Sequence, residues 1–231
     1  MLRTRPYRTA RTRAGQRGLS IMELLIGAAV GMVVVSGAAM LFANNVVGSR
    51  KLLAESRLNQ DLRNAADLLT RDLRRAGYWG NAVSGTQAIG VSSVTLKNPY
   101  RAVQLASNEI GYGFSREATT DNDVLDATEQ FGFRLQDEAL QMQTNGGWAD
   151  VTDKNAVRVK TLVITPTVTT ISLGDTCSTV CTVGTPNCPT VTVRSYAVHI
   201  AGESVLDAQI QRNLRSTVRV RNDEVSGSCP A

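Results

Sequence analysis

Glu23 is a carboxylate at the front edge of the longest apolar run in the chain, Leu24–Ala43, which has twenty residues and no charge. An ionised group there is costly in hydrocarbon, and a chain that keeps one usually uses it. A second chemical group is the four cysteines, Cys177, Cys181, Cys188 and Cys229. Three of them sit in a stretch rich in Thr, Gly and Pro, and all lie beyond the apolar run, on the side that should be exported. Exported loop cysteines pair, and four allow three connectivities among which sequence does not choose. A zinc knuckle would want C-x2-C spacing, which is absent, and the sole histidine, His199, lies in a strand-like run. His199 reads as a packed or surface residue, and no metal is expected. Asp121, Asp123, Asp126 and Glu129 form an acidic cluster without the glycine and ligand rhythm of a calcium loop, which reads as a solvated turn. There is no G-x-S-x-G elbow, no second histidine, no P-loop and no G-x-G-x-x-G after a strand. Neither a catalytic residue nor a cofactor is expected.

The elements that must position these groups begin with a basic leader. Residues 1–18 hold Arg3, Arg5, Arg8, Arg11, Arg13 and Arg17 and no Asp, Glu or Lys. The whole chain has 25 basic and 20 acidic residues, net +5. Taking away the six leader arginines leaves 19 against 20, so the sequence pI near 9.3 describes the precursor. A near-neutral mature chain has no global charge for gripping nucleic acid. A basic flank before an apolar segment instead stays cytoplasmic while the rest crosses.

Twenty apolar residues span a bilayer core as a helix. Gly27 and Gly31 have the small-xxx-small spacing that lets helices approach closely, with Gly37, Ala28, Ala29, Ser36, Ala38 and Ala39 beside them. After Asn44 and Asn45 the pattern turns amphipathic. Leu58, Leu62, Ala65, Leu69 and Leu73 make one stripe of a 3.6-residue helix, widened by Ala66 and Leu68. Asp67 and Arg71 are an i,i+4 pair of the favourable order, and Gly77 comes next as a C-terminal stop. One helix from Leu19 to Arg75 would have 57 residues and reach about 85 Å. Its stripe must be covered by a domain of its own chain, by neighbouring copies, or by both.

From Gly77 the periodicity shifts towards two. Val91–Lys97, Val157–Thr165, Val191–Ile200 and Ser216–Arg221 are strand candidates. Val157, Val159 and Thr161 alternate with Arg158 and Lys160. Gly111, Gly113, Gly146, Gly147, Gly174 and Gly184 punctuate loops, and Leu135–Met142 reads equally as a short helix or a strand. The expected fold is α+β. A basic leader (1–18) precedes a long helix (19–76, membrane-spanning over about 24–43 and amphipathic over 50–76). The helix packs on an antiparallel β-sheet head at 77–231.

Arg17-Gly18-Leu19-Ser20-Ile21-Met22-Glu23-Leu24-Leu25-Ile26 resembles the class III signal of type IV pilins and pseudopilins. There a basic leader ends in Gly, a hydrophobic residue comes next, and Glu stands fifth in the mature chain. The resemblance implies that the prepilin peptidase cuts between Gly18 and Leu19 and methylates the new amine of Leu19. Leu19 and Ser20 depart from the family's usual Phe and frequent Thr. Asp72-Leu73-Arg74-Arg75-Ala76-Gly77-Tyr78-Trp79-Gly80 is similar to the stretch that ends the long helix in PilW-type minor pilins. Trp148 with Asn155–Val159, and Ile210–Arg212 with Ser216–Asn222, look like later segments of the same group. The likeness is strong over roughly the first third and patchy beyond it. Thr170–Pro189 has no counterpart.

After such a cut, a cationic amine on Leu19 would stand one turn before Glu23 on the same face. Pairing with its own amine or a neighbour's would make register and insertion tolerable. The resemblance implies a non-catalytic minor pilin that primes or joins type IV pilus assembly, serving twitching motility, adhesion or DNA uptake. Its partners would be the prepilin peptidase, other minor pilins, the major pilin and inner-membrane lipid. It would cross the inner membrane once, with its C-terminal domain periplasmic, before entering a pilus. Two alternatives stay open. A type II secretion pseudopilin of the J kind shares the leader, although Gly77–Gly80 leans against it. A single-span protein with an exported binding domain would keep its leader. An anchored hydrolase is disfavoured by the missing catalytic constellation.

Overall fold

The helix α1 runs Ile21–Leu73, 53 residues, in a computed structural model that describes residues 18, 20–85, 97–117 and 120–230. The chain divides into two compact units, residues 1–49 and 50–231. In the first unit the large apolar side chains from Ile21 to Phe42 are all more than half exposed. Among the described residues α1 is the one helix long and apolar enough to cross a membrane.

The second unit buries the other part of the helix. Leu58, Leu62, Ala65, Ala66, Leu69 and Leu73 are all buried. Each fully buried leucine contributes about 1.5–3 kcal/mol of transfer free energy. Among the described residues nine strands supply the covering surface, in two antiparallel sheets where the sequence pointed to one. The first is a meander in the order β1 (Val103–Ala106), β2 (Glu109–Gly113), β3 (Gln130–Gln136), β4 (Ala139–Thr144) and β5 (Gly147–Asp150). The second has the order β6 (Val157–Ser172), β7 (Thr190–Ser204) and β8 (Gln211–Arg219), with β9 (Glu224–Ser226) also paired to β7. Ile110, Tyr112, Phe114 and Phe133 from the first region join Val157, Val159, Tyr196, Val198, Ile200 and Val218 in one core with the helix stripe. The head is thus the α+β, pilin-like layout that the pattern of elements implied.

Local chemistry explains several details. Leu135–Met142, ambiguous by pattern, is the β3–β4 hairpin. Its two-residue loop places Asp137 at φ 51° and Glu138 at φ 59°, the twist that a tight hairpin needs. Asn145 (φ 51°) and Gly146 (φ 77°) make the next turn in the same way. Gly111 and Gly113 lie inside β2 and Gly147 opens β5, so these three are strand residues and not loop punctuation. In β6 a bulge sets Val159 opposite Gly202 but Thr161 opposite Ala201, so Lys160 is extra. The side-chain parity therefore flips: Leu162 takes the buried place that strict alternation gave to Thr161. The other strand candidates form, β6 running on to Ser172 and β7 to Ser204, while β8 starts back at Gln211 and ends at Arg219, so Val220 and Arg221 of the candidate Ser216–Arg221 lie beyond it. Of the candidate Val91–Lys97, residues 91–96 lie outside the described residues.

Leu69 has no exposed surface at the centre of the stripe. Leu69→Ala in the full chain should lower the unfolding free energy of the head by about 2–5 kcal/mol, seen as a lower denaturant midpoint at unchanged slope.

Candidate functional site

Gly18 and Ser20 stand exposed just before α1, and Leu19 lies outside the described residues. The carbonyl of Ser20 accepts from the Leu24 amide at 3.1 Å, so the helical turn is already set here. Glu23 is exposed in the first turn. A helix start leaves backbone N–H groups unpaired and carries the positive end of the macrodipole, which favours an anion there. An ideal Cβ built on Gly27, Gly31 or Gly37 meets nothing within 4 Å, so no described atom of this chain requires these glycines. They form open surface of the kind that lets another helix come close. Ser36 Oγ donates to the Met32 carbonyl at 2.7 Å, which keeps its hydroxyl satisfied within the helix.

In the head unit the helix end is seated by polar groups. Asp72 is buried and accepts from Tyr112 Oη at 2.6 Å and from Arg75 Nη1 at 3.2 Å. The Arg75 guanidinium lies 4.0 Å over the Phe114 ring, which stacks on Phe131 at 4.0 Å and 4°. Burial, and then the carboxylate of Asp72, push the Tyr112 hydroxyl well above its usual pKa, so it remains a donor. The favourable pair expected at Asp67 and Arg71 makes no ion contact; both stay exposed, and Asp72–Arg75 is the ion pair of this turn. Sequence reasoning passed over Asp72. Its signal was its place, one residue before Leu73 and three after Leu69, where a charge must meet the core.

The last helical carbonyls are capped from the far end of the chain. The Arg221 amide donates to the Arg74 carbonyl, and Asn222 Nδ2 donates to the carbonyls of Arg75 and Ala76. Gly77 comes next at φ 75°, the left-handed geometry of a C-terminal stop, and its amide reaches the Gly113 carbonyl at 2.8 Å.

The acidic cluster is no solvated turn. Asp121 and Glu129 are buried. Tyr100 Oη, with its single proton, lies 3.1 Å from Asp121 Oδ1 and 2.9 Å from Glu129 Oε2. The Gly80 amide donates to Asp121, while Trp79 Nε1 and Asn81 Nδ2 donate to Asp123. These bonds fasten the turn after α1 to the loop before β3. Burial raises the Tyr100 hydroxyl pKa, and its bonds to Glu129 and Asp121 raise it further. For Asp121 burial pulls upward but is outweighed. The Ser115 hydroxyl, near although not closely hydrogen-bonded, and the amides of Asp123 and Gly80 hold its carboxyl below the usual range. Among the described residues no three His, Cys, Asp or Glu side chains are placed to hold a metal ion.

The cysteines meet at the tip of the β6–β7 hairpin, joined Cys177 to Cys229 and Cys181 to Cys188. One bond ties the tail after β9 to the tip loop. The other closes a short turn whose sulfurs lie against Gly174. His199 is half-buried in β7, between Val163 and Arg215. The assigned residues thus form two groups, Gly18 and Glu23 in the first unit and the disulfides in the second.

The family model for prepilin peptidase-dependent protein B matches residues 51–220, more than half of the chain. The chain belongs to the prepilin peptidase-dependent protein B family. That makes it a type IV pilus-related protein whose family description names dependence on the prepilin peptidase. Its apolar helix fits an inner-membrane anchor, and its fold fits a structural protein. The match starts at Lys51, well after Gly18 and Glu23, so it stands apart from the leader motif. No curated protein and no solved structure matches the chain.

The polar seats can be probed one at a time. Tyr112→Phe strips a donor from buried Asp72 and should cost about 1–3 kcal/mol in chemical unfolding. Asp121, its folded pKa lowered, contributes stability that is complete above its unfolded value near 3.9 and is lost as pH falls through the folded value. Unfolding free energy should therefore drop below about pH 4, and Asp121→Asn should flatten that drop in a pH series of thermal melts.

Proposed function

We propose that this chain is a minor pilin of the PilW kind, acting by assembly and without catalysis. Residues 1–18 are its leader, cut after Gly18. Residues 19–76 are the shaft helix, whose new amine on Leu19 is methylated, and 77–231 are the periplasmic head. In this reading the helix waits in the inner membrane and then enters a nascent pilus beside other minor pilins, helping to start the major subunit's assembly. The observation that carries the reading is Glu23. It is a carboxylate in the first turn of an exposed apolar helix, in a chain whose head belongs to a prepilin peptidase-dependent family.

The physics supports the same role. Leu19 and Glu23 are four residues apart in sequence, the spacing of one helical turn. An amine and a carboxylate at that spacing neutralise each other, within a subunit or across to a neighbour, where either alone would cost several kcal/mol. The open glycine face at Gly27 and Gly31 gives neighbouring helices a close approach. The head supplies contacts for other subunits.

Mass spectrometry of the membrane-extracted protein, with and without an active prepilin peptidase, tests the processing. The expected product begins at a methylated Leu19; an intact Met1 in the presence of the enzyme refutes the reading. Glu23→Ala should leave membrane insertion unchanged and sharply reduce recovery in sheared pili. Wild-type recovery would remove the role of Glu23.

A further inference from the structure

The cap on the helix end brings two exposed arginines, Arg74 and Arg221, to one open groove. Arg74, Arg219, Val220 and Arg221 line one open groove. The Arg221 amide bonds the Arg74 carbonyl at 3.1 Å, which fixes the two residues against each other. Arg219 is paired with Asp223 at 2.7 Å. Among the described residues Arg74 and Arg221 make no ion pair, and the remaining residues include no Asp or Glu. Cations near a helix end often serve its carbonyls. Here the carbonyls of Arg74, Arg75 and Ala76 already accept from Arg221, Tyr78 and Asn222. The two guanidiniums are therefore spare.

We propose that this groove docks a carboxylate cluster on the head of a neighbouring pilus subunit. The inference rests on the pilin reading and names the chemistry of one of its contacts. Guanidinium forks match carboxylates in paired, directional bonds. The chain's own acidic loop is a poor source for such a cluster in a second copy. Asp121 and Glu129 are buried, and Asp123, Asp126 and Glu117 are already held by Trp79 and Asn122. A nucleic acid is disfavoured because no aromatic lines the groove for base stacking. Residues 50–231 also carry 19 basic against 19 acidic residues, no excess for tracking a phosphate backbone.

The test uses the full chain in detergent against each purified pilin of the same host, one at a time, at about 50 and 300 mM salt. At least one pilin should bind, with affinity falling about tenfold across that range. Arg74→Glu with Arg221→Glu should lower low-salt affinity by a further tenfold or more, while Arg57→Glu, on another exposed stretch, leaves it unchanged. If the reversed pair melts early, Arg74→Gln with Arg221→Gln replaces it, with about half the loss expected on a logarithmic scale. Wild-type affinity in these variants overturns the proposal. So does arginine-dependent binding seen only with a second copy or with a DNA oligonucleotide, or no pilin binding at all. Failure here with Glu23→Ala still blocking incorporation would remove the groove alone. An uncut N-terminus would remove the pilin reading itself.

Discussion

Burial of one leucine stripe, Leu58 to Leu73, is the constraint on which the head is built. A helix with a single apolar face cannot stand in water, and this one lies under side chains from two sheets at once. Among the described residues the Val159 amide donates to the Glu138 carbonyl, which links β6 of the second sheet to the β3–β4 turn of the first. Both sheets also bury side chains in one cluster with the α1 stripe. The same helix, over residues 21–42, has no apolar side chain covered by the described residues of its own chain. One helix, Ile21–Leu73, therefore carries an exposed apolar part over residues 21–42 and a stripe from Leu58 to Leu73 that the head buries.

Polar groups decide how the helix end is held. Leucines fill space, but several packings of a smooth stripe would have similar energy. Asp72 removes that freedom, because a buried carboxylate must keep both Tyr112 and Arg75. Asp121 and Glu129 do the same for the segment after the helix, through Tyr100 and the amides of Gly80 and Arg116. Such bonds are modest when made and costly when one partner is missing, so they specify position more than they add net stability. The strand exit at Arg221 and Asn222 closes the helix end, and Cys177–Cys229 fastens the tail beyond it. The chain's last segment thus returns to its long helix and to its hairpin tip.

Sequence alone determined the features that periodicity and compartment dictate. The uncharged run at Leu24–Ala43, the stripe after it and the stop at Gly77 are visible because a helix repeats every 3.6 residues and tolerates few ways to end. The alternation of Val157–Val159 and of β8 was legible for the matching reason in strands. Glu23 stood out because a charge beside hydrocarbon is rare and expensive.

Tertiary structure decided the features that depend on partners distant in the chain. The two-sheet division, the bulge at Lys160 and the pairing of the four cysteines arise from register across strands, which local pattern does not encode. The acidic loop looked solvated because its partners, Tyr100 and Trp79, lie 21 and 44 residues away. Asp72 found Tyr112 across 40 residues, and Arg221 met Arg74 only when β8 came to rest against the helix. One-dimensional order records which groups need a partner. Which partner each one gets is settled when the stripe is covered and the chain ends are brought together.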